Sequence, residues 1–583
     1  MTTLAVWAPR ASRVEAVVDG APRPMKAADG GWWRAEVDAG AGCAYGFSLD
    51  GADPLPDPRS AWQPDGVHAL GRLVDHGAFE WQTASWQGRE LLGSVLYELH
   101  IGTFTEQGTF DAAIARLGHL VELGVDFVEI MPVAAFPGRR NWGYDGVFPY
   151  AVQESYGGPD GMKRFVDACH GHGLGVLLDV VYNHLGPDGN VLAKYGPYFT
   201  DGHTTPWGDA INYSGADSDE VRRYFLDNAA MWLREYRLDG LRLDAVHAIL
   251  DTSATHFLEE LSAATAALSE QLGRPLTIFA ESDLNDPRVI EPGWAGGYAC
   301  DAQWNDDFHH ALHAVLTGET FGYYEDFGSL TDVGAAFAHG FVYTGQRSRH
   351  RRRRHGRPLP ASVSARQLLA YSQSHDQVGN RARGERLAAL VSPALLKVAA
   401  ALVLTSPFTP MLFMGEEWAA STPWQYFTDH DDVALVESIR TGRRREFESF
   451  GWLPEEIPDP QDPQTARGSV LDWAELDDPA HRDMLRWYRD LIALRRTNAD
   501  LREGGFGGLD VAVDEVARVL TIARGSTVVV ANLSPERRHL TTTARRVLLA
   551  SAPATVAEDG VTVAGESVVI LDGSDAGGDG LVD

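Results

Sequence analysis

The chain is expected to fold as a (β/α)8 TIM barrel carrying an N-terminal β-sandwich and a C-terminal antiparallel β domain. Three features of the 583-residue sequence lead there. Short alternating apolar and polar segments fill the first 85 or so residues. Between Leu96 and Trp418, eight apolar strand-like runs are separated by helical stretches. After about Leu494 the alternating texture returns.

Residues 1–88 contain LAVWAP, VEAVV, WWRAEV and AYGFSLD, divided by Gly, Pro and Asp turns, the pattern of a small immunoglobulin-like sandwich of the carbohydrate-binding type. Residues 89–493 hold the runs VLYELHI, VDFVEIMPV, GVLLDVV, DGLRLDAV, LTIFAES, YACDAQWN, LLAYSQSHD and TPMLFMGEEW. Strand and helix in alternation imply parallel βαβ units, and eight such units close a barrel whose polar strand ends ring its top face. Residues 494–573, with VARVLTIA, STVVVANL and ESVVIL, predict a second sandwich, and residues 574–583 read as a disordered tail.

Composition narrows the function. A net charge of −31 disfavours nucleic acid and anionic membrane, because both need a basic face, and it leaves a neutral substrate as the better fit. Cys43, Cys169 and Cys300 are too few and too scattered for a disulfide framework or a zinc site. The first residues lack a basic segment followed by a long apolar one, and no stretch reaches the roughly 20 apolar residues of a membrane span, so a soluble, cytoplasmic protein is expected. Only Lys26, Lys163, Lys194 and Lys397 are lysines among the 50 basic residues, an arginine bias that we read as genome composition.

Acids at barrel strand ends carry the chemistry. Asp244 ends DGLRLD, Glu281 ends LTIFAE and Asp376 follows the YSQSH run, so strands four, five and seven can bring three carboxyl groups to one pocket. Two carboxyls flanking a bond are the machinery of glycoside hydrolysis. Each acid also has a plainer reading. A strand-end Asp often caps a helix, and Arg242, two residues before Asp244 and on the same strand face, also fits a structural ion pair.

The segments DVVYNH (179–184), DGLRLDAVH (239–247), FAES (279–282) and SHDQVGN (374–380) resemble, in order, the four short motifs of the α-amylase family. The resemblance implies a retaining glycosidase in which Asp244 is the nucleophile, Glu281 the general acid/base and Asp376 the carboxylate that binds sugar hydroxyls. It also implies that His184, Arg242 and His375 contact the glucose on the non-reducing side of the cut. Asp179 is implied to be structural. Tyr144 in NWGYDG is similar to the family's aromatic platform, although an aromatic there also fits a simple core. LYELHIGTFTEQGTF, DAQWNDDFHHALH and TGQRSRHRRRRHGRP extend the likeness over nearly the whole chain to the branch that releases trehalose from the end of trehalose-capped α-1,4-glucans. That implies a partner synthase that makes the cap, and no cofactor or metal. Branching and isoamylase-type debranching enzymes share the layout and are the alternatives, as is a glucan-binding protein without activity.

Other signals carry less. His309, His310 and His313 have a spacing that can bind metal, but a loop lining the acceptor side fits better, with Asp306 and His310 as candidate sugar contacts. The basic run Arg347–Pro358 reads as an ordered insert paired with acidic neighbours. Gly171, Gly173 and Gly175 precede a strand where a dinucleotide loop must follow one, and Glu416 and Glu417 are read as structural.

Overall fold

A computed structural model describes residues 1–205, 208–448, 453, 456–544 and 546–573. The expected tail, 574–583, lies outside them. Eight strands form the central barrel: β1 (Leu96–Leu99), β2 (Phe127–Ile130), β3 (Gly175–Val180), β4 (Gly240–Leu243), β5 (Thr277–Ala280), β6 (Ala302–Trp304), β7 (Leu368–Ala370) and β8 (Thr409–Phe413). They close in sequence order, β8 pairing with β1, and every pairing is parallel.

These strands are short and buried on both faces, as a parallel sheet covered by helices requires. Leu96, Phe127, Leu177, Phe279, Ala302, Trp304, Leu369 and Met411 pack together as one cluster contributed by seven of the eight strands, so the barrel's interior is filled rather than open. Above it on β1, β2, β3 and β4 come Glu98, Glu129, Asp179 and Arg242, all buried. Charge inside a barrel is costly unless paired, and this polar layer forms the floor of the site. Gly240 opens the pivotal strand β4 because a Cβ there would stand 2.5 Å from the Thr277 carbonyl oxygen on β5.

The N-terminal residues form two antiparallel sheets. Thr2–Trp7, Trp32–Val37 and Lys26–Ala27 make one, and Ala21–Pro24, Val14–Val18, Ala44–Leu49 and Gly71–Arg72 the other. Trp7 meets Tyr198 edge-on at 5.3 Å, while the Arg59 guanidinium donates to Tyr150 and Asp227 of the barrel.

At the C-terminal side, a five-stranded and a three-stranded antiparallel sheet follow the helix Pro479–Thr497. Two buried arginines tie them to the bottom of β8. Arg495 donates to the carbonyls of Leu404, Ser406 and Phe408, and Arg524 to those of Thr405 and Ser406, which close off carbonyls left over where the helix Pro393–Leu404 ends. Among the described residues no helix is long and apolar enough to cross a membrane.

Candidate active site

The predicted residues converge at the C-terminal ends of the strands. Asp244 directly follows β4, Glu281 directly follows β5, and Asp306 is the first residue of the helix Asp306–Thr317 after β6. His375 and Asp376 begin the short helix His375–Gly379 after β7, Tyr144 lies in the turn after β2, and His184 follows β3.

Arg242 is the hub. Its guanidinium is buried and donates to Asp179 at 2.7 Å and to Asp244 at 2.8 Å, with the Glu281 carboxyl 3.4 Å away. The flat face of the same group lies 4.4 Å from the centre of the Trp304 ring, a cation–π contact closing its remaining side. Adjacent strands make this possible, because Arg242 is in register with Asp179 on β3 and with Phe279 on β5. Asp244 receives a further hydrogen bond of 2.7 Å from the Asn183 amide. Glu281 accepts one of 2.6 Å from the backbone N–H of Ala245. Ala245 adopts φ 39°, the left-handed region that costs a non-glycine residue of order 1–3 kcal/mol, so the backbone is strained at the point where it meets the acid.

The two acids differ electrostatically. Burial pushes the Glu281 carboxyl well above the ordinary glutamate range; Arg242 opposes this, and the charges of Asp244, Asp306 and Asp376 reinforce it. Asp244, by contrast, is bonded directly to the Arg242 guanidinium and to the neutral Asn183 amide. Burial also raises Asp376, with His375 and Arg242 pulling the other way, and Asn380 donates to its Oδ1 at 2.7 Å.

His375 is held from two sides. Its Nε2 meets the Tyr144 hydroxyl at 2.7 Å, and Glu98 takes both its Nδ1, at 2.5 Å, and its backbone N–H, at 2.9 Å. Burial presses the imidazole pKa down, but the Glu98 carboxylate outweighs it and the net shift is upward. Tyr144 stacks its ring on His375 and donates its hydroxyl to Asp179 at 2.6 Å. His184 is buried, bonded to the Asn183 side chain and, at 3.0 Å, to the Tyr144 carbonyl. Reasoning from the sequence missed Glu98, Asn183 and Asn380. Glu98 had a visible signal, since in VLYELHI it alternates with the inward-facing Leu96.

From Asn380 a cleft of about 1210 Å³ opens outward, walled by Phe321, Tyr323, His350, Arg381 and Glu319. Glu319 takes a two-pronged bond from Arg381 at 2.7 and 2.9 Å and a third contact from His313. Burial would raise its carboxyl, yet these partners hold it down to about 2. The three histidines are packing groups: His309 and His313 stack on one another and on Tyr371 and Tyr324. His310 is buried against the Tyr323 ring, and Tyr323 rather than His310 lines the cleft. Asp306 is bonded to the Tyr371 hydroxyl.

The basic run is a hairpin, Thr344–Arg347 paired with Arg354–Gly356, but its arginines are not generally paired with acids. Among the described residues only Arg351 forms an ion pair, with Asp283, while Asp326 orders the tip by accepting from Ser348, Tyr343 and the backbone of Arg349. Local backbone satisfaction, rather than charge pairing, orders this insert. Glu416 and Glu417 are buried away from the cluster, bonded to Ser372 and Tyr488 and to Tyr97 and His119 respectively.

Three inward carboxyls around one arginine, on strands of a closed eight-stranded barrel, define a glycoside hydrolase of the α-amylase class, and residues 82–197 match the α-amylase catalytic domain. Residues 504–570 match a domain of unknown function (DUF3459). The chain is 52% identical over 567 residues to the malto-oligosyltrehalose trehalohydrolase of Rhizobium sp. (strain M-11), covering 96% of this chain and 95% of that one. It is 50% identical to that of Mycobacterium tuberculosis, covering 98% and 99%. A crystal structure described as a putative α-amylase from Salmonella typhimurium superposes with a TM-score of 0.89 at 35% identity, covering 98% of this chain and 97% of that one. The chain belongs to the malto-oligosyltrehalose trehalohydrolase family.

The Glu98 grip on His375 generates a prediction. Replacing Glu98 by Gln removes a charge-assisted bond worth about 1.5–3 kcal/mol, which corresponds to a loss in kcat/KM of about tenfold to a hundredfold. Because Glu98 is what raises His375, the imidazole of the variant titrates at lower pH. Steady-state kinetics and a histidine NMR titration check the two effects; unchanged values in a folded variant contradict them.

Proposed function

We propose that this enzyme hydrolyses, with retention, the α-1,4-glucosidic bond next to the terminal trehalose of a malto-oligosyltrehalose, releasing trehalose and a shortened malto-oligosaccharide. Asp244 is the nucleophile, Glu281 protonates the leaving oxygen and later activates water, and Asp376 binds hydroxyls of the distorted sugar. The observation that carries this reading is Arg242 spanning Asp244 and Glu281 from one strand. Two carboxyls sharing one guanidinium stand side by side, which favours the retaining separation of roughly 5–5.5 Å over the wider gap that an inverting water needs. The pair also differs in its surroundings, Asp244 bonded directly to the guanidinium and Glu281 pushed by burial toward its neutral form.

Tyr144, His184, Arg242 and His375 hold the glucose on the non-reducing side, and the cleft beyond Asn380 takes the trehalose. Its walls are aromatic and hydrogen-bonding, the mixture that sugars require. The enzyme that supplies the substrate is a synthase that turns the reducing-end linkage of a glucan into an α,α-1,1 bond, and both work in the cytoplasm. The near full-length likeness to trehalohydrolases favours this over branching or debranching.

Glu281→Gln is expected to be severely impaired on natural glucans yet far less so on an α-glucosyl fluoride, whose departure needs little protonation. Equal losses on both substrates remove Glu281 from the acid role. Specificity is tested by comparing maltotriosyltrehalose with maltopentaose, which have the same number of glucose units. A preference in kcat/KM of at least about tenfold, or about 1.4 kcal/mol of transition-state binding, is expected for the trehalose-capped chain. Equal cleavage, or new α-1,6 branches in amylose, replaces this reading with an amylase or branching enzyme.

A further inference from the structure

The helix Val433–Glu448 is inserted between β8 and the long helix Pro479–Thr497, and the roles above leave it without a function. Its second half carries four arginines, of which Arg440 is tied to Asp459. Arg443 turns toward the barrel instead. Its guanidinium donates to the Gly379 carbonyl at 2.5 Å, to the Arg381 carbonyl at 3.4 Å and to the Asn380 Oδ1, also at 3.4 Å. These acceptors close the end of the short helix His375–Gly379, where backbone carbonyls have no partner within the helix.

Both sides of the contact are fixed. The centre of the Arg443 guanidinium lies 4.6 Å from the middle of the Phe447 ring and 5.3 Å from that of Tyr426, so two aromatic faces hold it. Gly379 has no room to give way, since a Cβ there would run into the Trp142 ring. Asn380 passes the contact on. A guanidinium only donates, so the amide turns its oxygen to Arg443 and leaves its nitrogen for Asp376, where Nδ2 donates to Oδ1 at 2.7 Å. On the same helix, Gly442, Arg445 and Phe447 help to wall the cleft that opens from Asn380.

We propose that Arg443 is a positioning residue for Asp376: acting through Asn380 and the Gly379 carbonyl, it makes the helix that walls the acceptor side also set the aim of a carboxylate on the other side of the cut. The inference rests on the reading of Asp376 as the group that binds hydroxyls of the distorted sugar. The shape of the guanidinium matters more than its charge. A planar fork reaches three acceptors on consecutive residues, which a lysine ammonium in the same place does not.

The test compares two substrates. Maltotriosyltrehalose fills the cleft, whereas an α-glucosyl fluoride puts only fluoride beyond the bond that breaks. In Arg443→Ala, kcat falls about tenfold on both, the scale of a lost hydrogen bond that serves a charged group. KM changes little, because the disturbed interaction is one that strengthens in the transition state. Arg443→Lys keeps a cation and one donor but not the reach to Asn380, so it shows a smaller loss of the same kind, and it carries the test should the Ala variant not fold. Asn380→Ala removes the relay, and adding Arg443→Ala to it lowers kcat on the fluoride by far less than the single change does. A loss confined to maltotriosyltrehalose and seen as a higher KM makes Arg443 a prop for the cleft wall and overturns the proposal, as does full additivity of the two substitutions. Asp376→Asn separates the two levels. Severe impairment on the fluoride upholds the reading of Asp376, so that unmoved fluoride turnover in the Arg443 variants then defeats the Arg443 inference alone. Near-normal fluoride turnover by Asp376→Asn defeats both the inference and the reading beneath it.

Discussion

A guanidinium buried at the floor of the pocket has to be neutralised, and two of the three carboxyl groups around Arg242, Asp244 and Glu281, are ones the site offers for chemistry. Removing a charge from water costs several kcal/mol, recovered only if geometry and hydrogen bonding are good. Here Asp179 and Asp244 supply the bonds, Glu281 stands at the third side and Trp304 covers the face. The arrangement is possible because β3, β4 and β5 run parallel and in register, which places Asp179 beside Arg242 and puts the residues that follow β4 and β5 next to each other. The barrel's apolar interior fixes the strands, and the polar layer above it turns that rigidity into fixed relative positions for the acids.

The same hub leaves Glu281 the less closely paired of the acids. One cation shared unequally, with short contacts to Asp179 and Asp244 and a longer one to Glu281, lets burial dominate at Glu281. The strained Ala245 backbone then gives Glu281 a hydrogen bond without adding a charge. A second anchored unit, Glu98 with His375 and Tyr144, reaches back to Asp179, so both units close on the same buried carboxylate.

Much of this was legible in the sequence because parallel barrels write their strands as short apolar runs and place function at the residues just after them. Asp244, Glu281 and Asp376 could be located from that rule and from four local motifs. Glu98 and Asn380 were harder, since their roles arise from partners 277 and 4 residues away, and only the first pairing is long-range. The histidine triplet misled toward a ligand-lining role because spacing alone cannot show that aromatic neighbours from Tyr324 and Tyr371 fill the space around it. The arginine hairpin shows the converse: a charge run suggested ion pairs, whereas one aspartate accepting backbone and hydroxyl donors orders the tip.

The central claim is that Arg242 holds Asp244 as a ready nucleophile beside a protonated Glu281. Trapping tests it most directly: the enzyme is incubated with a fluorinated α-glucosyl fluoride whose glycosyl-enzyme hydrolyses slowly, then digested and analysed by mass spectrometry. The account predicts one glycosyl group per chain, attached to the peptide carrying Asp244 and mapped to that side chain. Attachment at another residue, or turnover to a product of inverted anomeric configuration without any adduct, would contradict it.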